Sequence, residues 1–296
     1  MRVLLLGGNG QLGTALRERL SNEVDLSVVT RADCDLSNPA GVADFVTAGK
    51  PEVIVNAAAY TAVDLAETER GLAFAANAES VSQLARAAKE LGALLVHYST
   101  DYVFDGTSNK PYRPDDTVSP VNAYGASKLA GEDSIRSSGC RHLILRTAWV
   151  YGPVGKNFFL TILRLAAERE ELGIVADQIG CPTSTLWLAD ATARIISGSA
   201  AKNAALRTTA HAVCAGQCSW FDFAAAIVEG AKERREKIAC KTINPLTTAD
   251  YPTPAARPAY SVLDTSRLAQ DFGITPPDWR DALNEVLDRK FGSPAG

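Results

Sequence analysis

Tyr124 and Lys128 stand four residues apart in Tyr124-Gly125-Ala126-Ser127-Lys128. On a helix, positions i and i+4 share a face, so a phenol and an ammonium would meet one ligand. A phenol, with a pKa near ~10, is a poor acid or base at neutral pH until a cation stabilises its phenolate. Lys128 would supply that cation and hold a ribose. Such a pair also arises by chance on surface helices, so its neighbours decide. Ser99 and Thr100 follow an apolar run at 94–97. A hydroxyl at the C-terminal end of a parallel strand opens into a ligand crevice, where Thr100 could hydrogen-bond a substrate carbonyl.

A second set of residues suits a dinucleotide. Gly7, Gly10 and Gly13 form a GxxGxxG between a first apolar run and a first helical pattern. Glycines there allow a tight turn and close backbone approach to a pyrophosphate, which the helix N-terminus then favours. At the end of the second strand an acidic residue would favour NAD, but Thr30-Arg31 stands there. A guanidinium suits a 2′-phosphate, so NADPH is the expected cofactor, with NADH also possible. Asp35 can accept from an adenine amino group. The small side chains of Ala57, Ala58 and Ala59 leave room for cofactor between the third strand and Thr61.

These residues need an alternating scaffold. Short apolar runs at 3–6, 26–29, 53–59, 94–99 and 143–148 alternate with helical patterns at 12–20, 40–48, 73–91 and 126–137. That order predicts an α/β fold: a Rossmann-type doubly wound parallel sheet, with helices on both faces, and a smaller C-terminal substrate-binding domain. Residues 1–150 form the dinucleotide-binding part, and about 186–215 rejoin it through a strand at 208–213. Residues 151–185 and 216–296 form the substrate part. Helices are expected at 158–172, 186–196, 221–232 and 279–290, with a strand at 174–177. Pro245, Pro252, Pro254 and Pro258 exclude a regular helix at 243–260.

Composition narrows the function. The 296 residues carry 30 Lys and Arg against 34 Asp and Glu, a net charge of −4. The whole surplus lies in residues 1–150, with 14 basic against 18 acidic, and no basic stripe appears. Nucleic acid is therefore not the expected partner. No apolar stretch approaches the ~20 residues that span a bilayer. Six scattered cysteines make no disulfide framework, so the chain reads as soluble and cytoplasmic. Cys214, Cys218 and His211 lie close in sequence but lack the further ligands of a structural zinc, so no metal is expected.

Longer strings carry a resemblance. Residues 56–67 (NAAAYTAVDLAE), 97–105 (HYSTDYVFD), 128–132 (KLAGE), 146–151 (RTAWVY) and 251–257 (YPTPAAR) join Asn157-Phe158, Asp177-Gln178 and Pro182-Thr183. Together they resemble the dTDP-4-dehydrorhamnose reductases among the extended short-chain dehydrogenases/reductases, over nearly the whole chain. The resemblance implies NAD(P)H-dependent reduction at C4 of dTDP-4-dehydro-L-rhamnose, the last step to dTDP-L-rhamnose. It makes Tyr124 the proton donor, Lys128 its partner, and Thr100 the group that orients the carbonyl. It adds Gln11, Leu12, Leu36 and Tyr98 to the cofactor contacts. Val63, Asp101, Tyr102, Trp149 and Asn157 then belong with the substrate, and Arg257 is a candidate for its diphosphate.

Some members of this family dimerise around magnesium held by acidic side chains. Ala15, Leu186 and Arg289 stand at the matching positions, and none is an oxygen ligand for a hard cation. No magnesium and a monomer or weak homodimer are expected. Two other roles on the same fold stay open from sequence. One is a dinucleotide-binding regulatory subunit like the β subunit of methionine adenosyltransferase. The other is a nucleotide-sugar epimerase or dehydratase. Tyr102, where a dehydratase usually carries a second acid, favours plain reduction.

Overall fold

Val3–Leu6, Ile54 and Leu94–Val96 are buried because their strands are covered on both faces. The chain runs β1 (Arg2–Leu6), α1 (Gln11–Leu20), β2 (Asp25–Val29), α2 (Val42–Gly49), β3 (Val53–Asn56), α3 (Arg70–Phe74), α4 (Ser80–Leu91), β4 (Leu94–Thr100), α5 (Ala123–Ser138) and β5 (Arg141–Thr147). It continues through β6 (Val150–Tyr151), α6 (Phe158–Glu168), β7 (Glu171–Val175), β8 (Ile179–Gly180), β9 (Thr183–Ser184), α7 (Thr185–Ser197) and β10 (Arg207–His211). β11 (Cys218–Ser219), α8 (Trp220–Glu233), β12 (Thr242–Leu246), α9 (Ser266–Phe272) and α10 (Trp279–Phe291) complete it. This computed structural model describes residues 1–293.

Six strands form one parallel sheet in the order β10-β5-β4-β3-β1-β2. The order reverses between β1 and β3, and ligands of such sheets bind at the carboxyl ends of strands flanking that point. One apolar cluster lies under α1 and α7 and runs on through Tyr151, Phe159, Phe223, Trp279 and Leu287. A second packs α2 and α4 against the other face, through Val46, Ile54, Leu84 and Ile144.

Three local features differ from the sequence pattern. The continuous helix expected at 73–91 is α3 and α4 joined by a π-helical turn, Ala75–Glu79. The turn carries buried Asn77, whose carbonyl backs Gly131 of α5: a Cβ there would lie 2.1 Å from Asn77 O. Residues 243–260 hold no α-helix, but β12 includes Pro245 and pairs only with β7, an edge position that proline tolerates. The helix expected at 158–172 ends at Glu168, and Glu171–Val175 turns to β7.

Candidate active site

The glycine loop fits the charge it was expected to hold. Gly7 has φ +77°, a left-handed backbone that favours glycine. A Cβ there would lie 2.7 Å from Ala58 N, and one on Gly13 would lie 2.0 Å from Gly7 O. The loop is thus pressed onto the end of β3 with no room for side chains. Gly10 caps α1 without a side-chain hydrogen bond, and no acidic residue stands in the first turn. The amides of Gln11, Leu12 and Gly13 therefore keep their pull on an anion. This cradle fits a pyrophosphate.

Beside it, Arg31 is mostly exposed and donates from Nε to Asp35 (3.1 Å). Asp35 also accepts from the backbone and hydroxyl of Ser37 (2.9 and 2.7 Å). Those Ser37 bonds, then Arg31, hold its carboxyl below the usual range. Leu36 is buried in the second cluster. Ala57 and Ala58 are half-buried at the crevice wall, and Ala59 and Thr61 are exposed beyond it.

The catalytic candidates converge at the end of β4. Asn122 caps α5 by accepting from Gly125 N (2.7 Å). Gly125 lets the helix approach the Asp101–Val103 turn: a Cβ would lie 2.1 Å from Tyr102 O. Tyr124 is half-buried, edge-on to Tyr102 with ring centroids 5.9 Å apart. Burial pushes its phenol up to about 12; the Asp101 charge adds to this, and a hydrogen bond with Thr100 opposes it. The phenol therefore keeps its proton at neutral pH, as a proton donor must.

Lys128 departs from its expected geometry. Its Nζ donates to Tyr98 O (2.6 Å) and faces His97 Nε2 (3.3 Å), so its contacts lie on β4. Burial lowers it to about 8, partly offset by the Glu132 charge. His97 lies between Asn56 and Lys128, a place that its neighbours in sequence do not predict. β3 and β4 pair in register with Asn56 opposite His97, which no single strand reveals.

Asp101 is buried. Its Oδ1 accepts from the Thr100 hydroxyl (3.0 Å), and the Ser261 hydroxyl also faces the carboxyl. Burial raises this carboxyl to about 6, against the pull of the Ser261 and Thr100 hydroxyls. The sign for stability follows. The folded state holds this proton more tightly than the unfolded chain, whose Asp titrates near 3.8. Stability is therefore lost as pH rises from about 4 to about 6 and stays lost above, on the order of 2–3 kcal/mol. Asp101→Asn should raise the unfolding free energy at pH 8 but change it little at pH 4. Denaturant titrations at both pH values check this; an equal gap at the two would refute the ionisation cost.

The remaining candidates occupy varied settings. Trp149 has φ +47°, stacks on Trp220 at 3.4 Å, and lies against Gly180, where a Cβ would meet its ring at 2.5 Å. Tyr98 points its hydroxyl to Thr192 of α7 (2.6 Å) and offers the crevice only backbone. Asn157 caps α6 through Leu160 N (2.9 Å), and its amide donates to Gln11 Oε1 (2.8 Å) and Gly152 O (3.0 Å). Both ends of that side chain are engaged within the protein. Arg257 forms a two-pronged pair with Asp64 (2.9 Å each) and donates to Thr253 (2.6 Å), tying the 251–257 loop to the segment after β3. Val63 lies half-buried in that segment.

Among the described residues, no group of three or more His, Cys, Asp or Glu is placed to hold a metal. Arg289 is paired with Glu18. No helix among them is long and apolar enough to cross a membrane.

The family model described as the RmlD substrate binding domain matches residues 1–291. A dTDP-4-dehydrorhamnose reductase of Burkholderia thailandensis is 47% identical over 96% of this chain and 97% of its own length. A solved dTDP-4-dehydrorhamnose reductase of Clostridium acetobutylicum superposes with a TM-score of 0.90 at 39% identity, covering 98% of this chain and 99% of that one. The Bacillus anthracis enzyme of that name, solved in complex with NADP, gives 0.90 at 37% identity, covering 97% and 99%. With the family model matching residues 1–291 and the Burkholderia relative 47% identical over 96% of the chain, the chain belongs to the dTDP-4-dehydrorhamnose reductase family.

Proposed function

We propose that this protein reduces the C4 ketone of dTDP-4-dehydro-L-rhamnose with NADPH, giving dTDP-L-rhamnose. The observation that carries this is the protonated phenol of Tyr124 beside Thr100, at the end of β4 and near the glycine cradle. When bound, NADPH supplies hydride to C4. A carbonyl accepting hydride develops alkoxide charge on its oxygen, and a positioned acid lowers that barrier. Tyr124 gives its proton there, Thr100 orients the oxygen, and Asp101 lies beside the sugar. Lys128 holds the ribose. The amides of Gln11, Leu12 and Gly13 hold the pyrophosphate, while Asp35, Leu36, Ala57, Ala58, Ala59, Thr61 and Tyr98 line the cofactor's place. Val63, Tyr102, Trp149, Asn157 and Arg257 bound the side taken by the dTDP-sugar, with residues 151–185 and 216–296 forming most of that side.

The test is NADPH oxidation by the purified protein with the keto sugar nucleotide supplied. One NADPH consumed per sugar reduced is the expected result. NADPH binding without consumption would point instead to a regulatory binding protein. Sugar conversion without net consumption would point to an epimerase or dehydratase.

Arg31 selects the phosphorylated cofactor in this proposal. Its guanidinium is tethered only through exposed contacts to Asp35 and Ser37. Arg31→Ala should weaken NADPH binding on the order of tenfold, the worth of a charge-assisted hydrogen bond. NADH binding should stay unchanged; fluorescence titration with both cofactors checks this, and equal losses would remove Arg31 from selectivity.

The protein acts without magnesium, as a monomer or weak homodimer, since Ala15 and Leu186 offer no oxygen and Arg289 is paired with Glu18. Its six free cysteines suit a reducing cytoplasm.

A further inference from the structure

A line of hydrogen-bonding groups runs from the cofactor cradle to Lys128, and its proton count does not balance with a charged lysine. It begins at Ala58 N–H, on the backbone that Gly7 presses against. That N–H donates to Asn56 Oδ1 (3.2 Å), which fixes the Asn56 amide with its NH2 toward β4. There Nδ2 lies 3.0 Å from His97 Nδ1. A donor faces Nδ1, so Nδ1 must accept. His97 is fully buried, and burial, the largest cause, pushes its pKa well below 6.5, so the ring is neutral and carries one N–H. That proton therefore sits on Nε2, which faces Lys128 Nζ at 3.3 Å.

An ammonium has three N–H donors and no acceptor. Set against Nε2–H it gives donor against donor. The other tautomer only moves the clash to Asn56. An uncharged amine satisfies every contact: one N–H goes to Tyr98 O, and the lone pair accepts from Nε2–H. We propose that His97 is a positioning residue for Lys128: Asn56 fixes its proton on Nε2, and that N–H holds the lysine toward the uncharged amine until a ligand enters the crevice.

The surrounding charges fit. On its own helix Lys128 faces Glu132, the one charge favouring the ammonium, and Glu132 is already taken up by Arg146 of β5 and Arg136. Tyr124, one turn earlier, is a neutral phenol. β4 presents His97 and Tyr98, both uncharged, and β3 presents Asn56. Asn77 and Ser127 bond each other alongside (3.0 Å). A buried ammonium without a full set of acceptors is costly, so an amine spares the ligand-free fold that cost. Ribose hydroxyls would then supply acceptors, and the charge would form where it is used. The Ala58 end of the line lies in the cofactor cradle, so cofactor seating and the lysine's proton are linked through Asn56 and His97.

This inference rests on Lys128 acting as the cation beside Tyr124, but its first test needs no turnover. The chain has three histidines, His97, His142 and His211. ¹⁵N spectra of the ligand-free protein, with signals assigned through His142→Gln and His211→Gln, read the His97 tautomer directly. A proton on Nε2 is expected; a proton on Nδ1 overturns the proposal whatever the kinetics show. The second test is the pH profile of kcat/KM for NADPH, whose limbs report groups of the free enzyme. Asn56→Asp gives Nδ1 an acceptor, frees Nε2 to accept from the ammonium, and should move the alkaline limb up by about one pH unit, a tenfold change in the ammonium-to-amine ratio. His97→Asn removes the Nε2–H and should move it the same way. A lower kcat/KM with an unmoved limb in both variants would mean that His97 only packs, and would overturn the proposal. Neither result depends on whether Arg31 or Trp149 has the role given above.

Discussion

Tyr124→Phe lowers kcat by about 10²–10⁴-fold, the range for losing a positioned general acid. NADPH affinity stays within a few-fold of the parent's. Both halves follow from geometry. The phenol is held beside Thr100, and burial keeps it protonated, so in the proposed reaction the hydroxyl would give the proton that phenylalanine lacks. The ring itself stays, edge-on to Tyr102, so α5 keeps its seat and Lys128 its place. The pyrophosphate cradle belongs to α1 and is untouched. Stopped-flow oxidation of NADPH measures the rate, and fluorescence quenching measures binding. A variant within tenfold of the parent would show that another group, or water, supplies the proton.

Glu132→Ala costs the fold about 3–5 kcal/mol. Glu132 and Arg146 are both buried and joined by two parallel hydrogen bonds (2.9 and 2.7 Å). Arg146 also donates to Pro114 O (3.0 Å) and lies over the Phe104 ring at 5.1 Å. Removing the carboxylate leaves a guanidinium in the core with no counter-charge. Replacing both partners, as Glu132→Leu with Arg146→Met, should recover most of the loss, because the desolvation cost of both charges goes with them. The pH sign agrees. Burial works to raise the Glu132 carboxyl, but Arg146, helped by Ser99 and Arg136, holds it below its ordinary value. The pair's contribution is therefore present above the unfolded carboxylate range near 4.5 and is lost as pH falls through the lower folded value. Denaturant titration at pH 7 measures both variants; a loss under 1 kcal/mol in the single variant would contradict the account.

Local patterns gave the sheet and its ligand edge because they are short-range. Residues 3–6 and 94–99 read as buried strands from continuous apolar runs, and the glycine spacing at 7–13 placed the first turn. Tyr124 and Lys128 shared a helix face by period alone. What the sequence hid depends on contacts between distant residues. Asn56 and His97 are 41 positions apart and meet only through β3–β4 register. Arg257 read as free for a diphosphate, yet Asp64, 193 positions away, holds it. Lys128 carried the right residue type at the right spacing, but the hydrogen bond from its Nζ to Tyr98 O is a tertiary fact. The π-helical turn at Ala75–Glu79 escaped because the apolar spacing at 73–91 reads as one helix, and the segment it packs against, around Gly131, lies on another helix. Asn157 matched its string, but its amide is spent on capping α6 and on Gln11.

The large apolar cluster has a consequence for how the molecule comes apart. It passes without a break from Leu5 and Leu16, beneath the cofactor cradle, to Trp279 and Leu287 in the last helix. Residues from the first strand and the last helix thus share one apolar core. A ligand bound at the N-terminal glycines should therefore also slow hydrogen exchange in α10.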